Sequence, residues 1–432
     1  MTTEPPLKRL RGGGFGDDDN DDELIHDDGF MDEDDQLDDS FQFTQISDEF
    51  EDYGLSAKDL EMQSRWARPM VDPNFTPAEH DLHLQWMDMD MTVGPPLESN
   101  PHEGRKVLGV TTNPIVPIIR IYGVNNAGNS VTLFVHGFVP YAYFSLPADC
   151  PIMQHKNNRD ALNKHLHEVR EQLNIRLAQA VSRNGDPFKG HSSKETPKYC
   201  VGCQLVTDHC SLMGYNTQDT QFLKVILAMP TLVPTLKRLM EEGKDMVIDA
   251  IMPTTQRNSY EAVSWNPFEC NVPFVLRYMI DNQIDGSGWL TLPKKLYRIR
   301  SNSEKTTHAQ IEADISYNDV IYHKSEGEWS RMAPIRVLSV DIECQGRKGH
   351  FPEAKFDPVI QIANVVQVYG QAKPIVQNVF TLKGCLPIVG AQVLSSDTET
   401  DLLLKWRAFL QAVDPDVITG YNVQVCRESM KY

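Results

Sequence analysis

Three apolar-rich runs near the carboxyl end, Arg336 to Ile342, Val359 to Tyr369 and Ile375 to Leu382, predict three successive strands. A Gly/Pro-rich loop joins the first two and YGQAKP joins the last two. The period then changes to that of a helix from Thr398 to Val413, with Leu402, Leu403, Trp406, Phe409, Leu410 and Val413 facing inward and Thr398 with Asp401 as the cap. Asp414-Pro415-Asp416 turns the chain into a further strand, Val417 to Gly420. Three antiparallel strands, a helix and a parallel fourth strand make the opening half of a ribonuclease-H-like fold.

The stretch from about 106 to 333 alternates strands and helices. Ile118 to Val124 and Ser130 to His136 flank an Asn-Asn-Ala-Gly turn, which predicts a hairpin. Leu162, Leu166, Val169, Leu173, Leu177 and Ala180 recur at spacings of three and four, so Asn158 to Ser182 is one amphipathic helix. Strands follow at Tyr199 to Val206 and Phe222 to Ala228, then a helix from Thr231 to Glu242 closed by Gly243. That order is the split βαβ arrangement of ferredoxin-like and RNA-recognition-like sheets. The whole reads as α/β and α+β.

Charge separates the amino-terminal end from the rest. Residues 1–52 hold 19 of the 60 acidic side chains and 3 of the 41 basic ones, so the formal charge of -19 belongs mostly to this tail and the remainder is close to neutral. Glycines followed by a near-continuous acidic run, with few apolar residues, predict disorder over roughly the first 65 residues. Lys8, Arg9 and Arg11 in PPLKRLR form a short basic cluster of the nuclear-import type. Aromatic residues return at Tyr53, Trp66, Phe75 and Trp86, where a folded body is expected to begin, and VGPPLESNPHEGR, Val93 to Arg105, is a linker by composition. No apolar run reaches the length of a membrane span, and no membrane partner is expected. The eight cysteines are scattered and read as reduced thiols.

Asp341 and Glu343 are the candidate chemistry. On a strand they point to one face, and the apolar residues around them, Val337, Leu338, Val340 and Ile342, predict a buried strand. Two buried carboxylates need a cation, and clustered oxygen ligands suit Mg²⁺ or Mn²⁺. A pair of such ions is the usual device for hydrolysing a phosphodiester. The plainer alternative is a strand end whose acids meet solvent or an arginine. Cys200, Cys203, His209 and Cys210 form half of a zinc-like pattern, but i and i+3 on a regular strand face opposite sides, which argues against one shared ion. His165 and His167 lie on the polar flank of their helix and read as solvated.

The block GRKGHFPEAKFDPVIQIA after the acidic pair resembles the first exonuclease motif of the family B replicative DNA polymerases. The resemblance extends to DPDVITGYNVQ at 414–424, IIRIYGVNNAGNSVTLFVHGFVPYAYF at 118–144 and FVLRYMIDNQIDGSGWLTL at 274–292. It implies an amino-terminal domain over 66–333 with oligonucleotide-binding-like (OB-like) and RNA-recognition-like parts, then an incomplete 3′–5′ exonuclease domain over 334–432. It further implies a parent enzyme that synthesises DNA on a template, proofreads with two Mg²⁺ ions, works in the nucleus, and engages a primer end, a template, accessory subunits and a sliding clamp. By that resemblance Asp341 ligates both ions, Glu343 the one that activates water, and Asn422 contacts the nucleotide end. The zinc or iron–sulfur ligands of such polymerases lie near their carboxyl end and have no counterpart here.

The chain departs from that pattern after Gln424. The second motif keeps Tyr421 and Asn422, but Cys426 replaces the aromatic residue and Arg427 the metal-binding aspartate. The third motif and the polymerase palm are not matched, so two readings stand: a catalytically incomplete portion of a polymerase, or a non-enzymatic isoform that binds nucleic acid or partner subunits.

Overall fold

The computed structural model describes residues 65–97, 113–147, 149–191, 196–206, 221–243, 251–252, 265–350 and 352–421. The predicted tail, with Lys8, Arg9 and Arg11, lies outside them. In chain order the first elements are β1 (Leu82–Gly94), β2 (Val116–Asn125), β3 (Ser130–His136), β4 (Tyr141–Ser145), α1 (Arg159–Asn184), β5 (Cys200–Val206), β6 (Phe222–Leu227), α2 (Leu232–Glu242) and β7 (Pro267–Phe268). There follow α3 (Phe274–Asp281), β8 (Trp289–Leu292), β9 (Tyr297–Ile299), β10 (Ile311–Ser316) and β11 (Ile321–His323). The last are β12 (Arg336–Cys344), β13 (Val359–Val368), β14 (Val376–Leu382), β15 (Gln392–Ser396), α4 (Glu399–Val413) and β16 (Val417–Thr419).

A seven-stranded sheet has the order β11-β8-β1-β2-β3-β10-β9. Within it β1, β2 and β3 form an antiparallel meander, β3 pairs in parallel with β10, and β10 pairs antiparallel with β9. This is the connectivity of an OB-like barrel, a five-stranded, partly open closure. Hydrogen bonds close the remaining seam, from Tyr297 Oη to the His80 carbonyl at 3.0 Å and from the Lys295 amide to the Pro77 carbonyl at 2.7 Å. The β2–β3 turn is the predicted hairpin: the Gly128 amide donates to the Asn125 carbonyl, and Asn125 Oδ1 accepts from the amides of Ala127 and Asn129. Gly128 takes φ 85°, a conformation that glycine adopts without strain.

The second sheet, β5-β6-β4-β7, is antiparallel throughout and carries α1 and α2. Its order is that of a ferredoxin-like sheet, as the pattern predicted. Val169, Leu173 and Leu177 of α1 and Leu236 and Met240 of α2 are buried with Phe144, Leu223 and Val225 of the strands. Both helix ends follow sequence signals: Asn158 Oδ1 accepts from the Ala161 amide, and Gly243 at φ 58° ends α2. His165 departs from expectation. Its ring stacks on His155 with centroids 4.6 Å apart and is partly buried, whereas His167 is exposed and meets the Arg170 guanidinium at 2.7 Å.

The third sheet has the order β15-β14-β13-β12-β16, with β12, β13 and β14 antiparallel and β16 parallel to β12. α4 covers one face, burying Leu402, Trp406, Phe409 and Val413 against Leu338, Ile362, Val366 and Phe380. Thr398 caps the helix as predicted, accepting from the Asp401 amide. β15, parallel to β14, was not expected: its short QVLSS run carries no alternation strong enough to separate it from the loop before it.

Residues 66–69 bind this third sheet to the barrel. Trp66 packs edge-on against Phe409 at 5.0 Å. Arg68 is buried and donates to the Asp414 carboxylate at 2.7 Å, to Asp416, and to the Gly128 carbonyl at 2.9 Å. Arg336 donates to the carbonyls of Trp66, Ala67 and Val413, and its own amide reaches Asp416 Oδ2 at 2.7 Å. Removing one partner of such a cluster leaves a buried charge unpaired. Arg68→Ala is therefore expected to cost about 3–5 kcal/mol, read as a lowered urea midpoint; an unchanged midpoint would show that the cluster contributes nothing net.

On the outer face of the barrel, opposite the core residues Ala313 and Ile315 of the same strand, Asp314 is 2% exposed and accepts from His136 Nε2 at 2.9 Å, Arg300 Nη2 at 2.6 Å and Arg298 Nη2 at 2.8 Å. Burial alone would raise its carboxyl, but the hydrogen bonds from His136 and Arg300 outweigh it and hold the group well below the usual carboxylate range. A depressed folded value means that the stabilisation is fully present above the unfolded value of about 3.9 and is lost as pH falls through the folded one. Asp314→Asn should flatten the loss of stability below that point. Superimposable acid titrations of urea stability for the two proteins would contradict this.

Candidate nuclease site

The site grows from the alternation along β12. Leu338 and Val340 are buried beneath α4 and Ile342 packs beside them, while Ser339, Asp341 and Glu343 point to the opposite, open face and are exposed. This corrects the expectation of a buried acidic pair: one helix covers one side of the sheet, so the strand is apolar on that side alone. Asp341 and Glu343, two residues apart, sit about 7 Å from each other along the strand. Neither makes a hydrogen bond or ion pair with a described residue. Both carboxylates are solvated, and no cation is needed to satisfy them in the free protein.

Ladder register defines what surrounds the pair. Asp341 stands opposite Ala363 and Glu343 opposite Gln361 on β13, and Ser339 lies between Val365 of β13 and Thr419 of β16. Ala363 leaves open space beside Asp341 that a larger side chain would fill. The register is pinned from below by a polar chain that sequence reading missed: Trp406 Nε1 donates to Asn364 Oδ1 at 2.9 Å, and Asn364 Nδ2 donates to Asn378 Oδ1 at 3.0 Å. The Asn at an apolar-phase position of VIQIANVV was its signal. A slip by one residue would bury the acids and expose this network.

The loop from β12 to β13 is held by a second clamp. Arg347 donates to Asp357 at 3.1 Å and to Glu353 at 2.8 Å, and Asp357, itself buried, also accepts from the Glu353 amide at 2.8 Å. The Glu353 amide, then Arg347, hold the Asp357 carboxyl below the usual range. The Gln345 amide donates to the Pro358 carbonyl at 2.9 Å, closing the base of the loop next to Glu343.

Other expected ligands gather less. Among the described residues no group of three or more His, Cys, Asp or Glu side chains is placed to hold a metal ion. Asn422, Cys426 and Arg427 lie outside the described residues, as do His209 and Cys210. Cys200 and Cys203 do not face opposite sides as expected. A bulge between Cys200 and Gly202 shifts the register and brings the two sulfur atoms to 3.8 Å. The hydrogen bond to Cys200 and burial push the Cys203 thiol up, and both cysteines are free. No helix among the described residues is long and apolar enough to cross a membrane.

Comparison with known proteins places this geometry. The family model described as DNA polymerase family B, exonuclease domain, matches residues 266–425, and that described as DNA polymerase delta catalytic subunit-like, N-terminal domain, matches residues 137–234. The chain is 36% identical to the DNA polymerase delta catalytic subunit of Arabidopsis thaliana over 94% of its own length and 33% of the relative's. It is 37% identical to that of Drosophila melanogaster over 83% of its length and 30% of the relative's. Among solved structures, the family B DNA polymerase from the hyperthermophilic archaeon Pyrobaculum calidifontis aligns with 80% of this chain and 31% of its own, at 18% identity and a TM-score of 0.46. The chain spans about a third of the length of these curated relatives. The two family-model matches and the delta catalytic subunits of Arabidopsis thaliana and Drosophila melanogaster make the chain a member of the family B DNA polymerases, of the delta catalytic subunit type.

Proposed function

We propose that this chain is the amino-terminal part of a delta-type replicative polymerase whose 334–432 segment is its 3′–5′ proofreading domain, preceded by an amino-terminal domain at 66–333. It works in the nucleus, with Lys8, Arg9 and Arg11 as the import cluster, on a DNA primer end and template beside accessory subunits and a sliding clamp. The observation that carries the reading is the unpartnered pair Asp341 and Glu343 on one open face of β12, within the segment that the exonuclease family model matches.

The donor set fits a hard divalent cation such as Mg²⁺: two exposed carboxylates that form no hydrogen bond or ion pair with a described residue. A bound ion supplies Lewis-acid polarisation of the phosphodiester and a more acidic water. Asp341 and Glu343 would hold it, and Asn422 would contact the terminal nucleotide. A two-ion site needs further carboxylates, and the family pattern puts one where this chain has Arg427. A guanidinium there repels a cation, which favours a chain that binds DNA or partner subunits over one that cleaves.

The test is hydrolysis of a 3′-labelled single strand in Mg²⁺ by the native chain, Arg427→Asp, and Arg427→Asp combined with Asp341→Ala. The native chain is expected to leave the strand intact, the first variant to gain 3′–5′ hydrolysis, and the second to lose it again. Hydrolysis by the native chain that disappears in Asp341→Ala would show that the incomplete site suffices. Failure of every form both to bind and to cleave the strand would sink the reading.

A further inference from the structure

β5 lies at the edge of the second sheet, and the bulge in it brings two thiols into contact. Cys200 stands opposite Leu227 and Cys203 opposite Val225 on β6, so three residue steps on β5 span two rungs of its partner. Both side chains therefore lie on the core face of the sheet, with their Sγ atoms 3.8 Å apart. Two rungs amount to about 6.6 Å along a strand, within but near the top of the Cα span of about 4.4–6.8 Å that a disulfide bridges.

Asn174 of α1 holds the bulge in place. Its Oδ1 accepts from the Tyr199 amide at 2.8 Å and the Cys200 amide at 2.9 Å, and its Nδ2 donates to the Cys200 carbonyl at 2.8 Å. A buried cysteine alone is ordinary core filling. Here Cys203 is only half-buried on an edge strand, where a small oxidant can reach it, while Cys200 is fully buried behind it. Both rest as free thiols: the hydrogen bond to Cys200 and burial push the Cys203 thiol up, against the pull of Arg170.

We propose that Cys200 and Cys203 are a redox-modification site, joined by a reversible disulfide. The proposal does not depend on Asp341 and Glu343. The oxidant is a low-molecular-weight disulfide, RSSR. Cys203 gives up its proton and its sulfur attacks one sulfur of RSSR; the RS–SR bond breaks, and the departing RS⁻ takes up a proton as RSH. Cys200 then loses its proton and attacks Cys203 Sγ in the mixed disulfide, expelling the second RSH. One S–S bond forms in the protein and one breaks in the oxidant, with two electrons and two protons passing from the pair to two RSH. Closing the sulfurs from 3.8 Å to about 2.05 Å works against the grip of Asn174, which makes the bond a readily reduced one of the regulatory kind.

The test is peptide mapping of the full chain after oxidised glutathione, alkylation and trypsin. The tryptic peptide 199–224 contains Cys200, Cys203 and Cys210. In the native chain it is expected to hold a bond between Cys200 and Cys203 that leaves Cys210 out, and to be alkylated at all three after dithiothreitol. Cys210→Ser should keep the bond and Cys203→Ser should abolish it. Complete alkylation of the oxidised native chain, a glutathione adduct that persists on Cys203, or loss of the bond in Cys210→Ser would each overturn the proposal. So would stoichiometric zinc that shields both thiols until a chelator removes it, because the pair would then be a metal site.

Discussion

Burial of two guanidinium groups against two carboxylates, Arg68 and Arg336 with Asp414 and Asp416, is the constraint on which the rest depends. Taking such charges out of water is costly, and the arrangement holds because their polar atoms converge on oxygen. Arg68 reaches across to Gly128 in the barrel hairpin, and Arg336 reads three carbonyls on two different segments. Burial pushes the Asp416 carboxyl up while Arg68 and the Arg336 amide oppose it. Position follows from this cluster. Asp414 ends α4 in the left-handed conformation at φ 47°, Asp416 fixes the first rung beside β12, and β16 then runs parallel to β12. The chain is thereby aimed along the open face, so that Tyr421 emerges two residues beyond the Ser339–Thr419 rung, on the side where Asp341 stands.

The division of labour between the two faces of the third sheet explains how carboxylates and stability coexist. Under β12, aromatic and aliphatic packing around Phe380, Trp406 and Phe409 supplies the core. Above it, Ala363 and Gln361, directly opposite the two acids, are small or polar and leave the carboxylates open to water. The Trp406–Asn364–Asn378 chain couples the faces. It costs the core an unpartnered Asn378 Nδ2 and in return fixes which residues of β13 lie beside the acids.

Much of this was legible in the sequence. The helix predicted over 158–182 and found over 159–184, the Gly243 stop, the Asn125–Gly128 hairpin and the antiparallel start of the third sheet all follow from local period and turn chemistry. What escaped notice is of another kind. β7, β9 and β11 have two or three residues each, too few for any period to show, and β1 owes its length to partners on both sides. The apolar residues around the acidic pair predict burial only where both sides of the strand are covered, which depends on how many helices pack there and not on the strand itself. The cysteine pair was placed on opposite faces because a bulge cannot be seen in a C-x2-C spacing.

Electrostatics decides how such a surface meets a polyanion. Asp341 and Glu343 by themselves repel a phosphodiester, and the folded part of the chain, nearly neutral, supplies no general attraction. Attraction has to be local. A cation held by the acids reverses the sign there. Arg427 adds a third charge from the chain beyond the described residues. The family pattern has a metal-binding aspartate at this position of the sequence, and an arginine there does not supply a ligand to a divalent ion. The net charge at that point changes from −3 with an aspartate to −1 with the arginine, counting the three side chains alone. The change weakens the pull on a divalent ion and lessens the repulsion of a phosphate, so the two interactions respond to it in opposite directions.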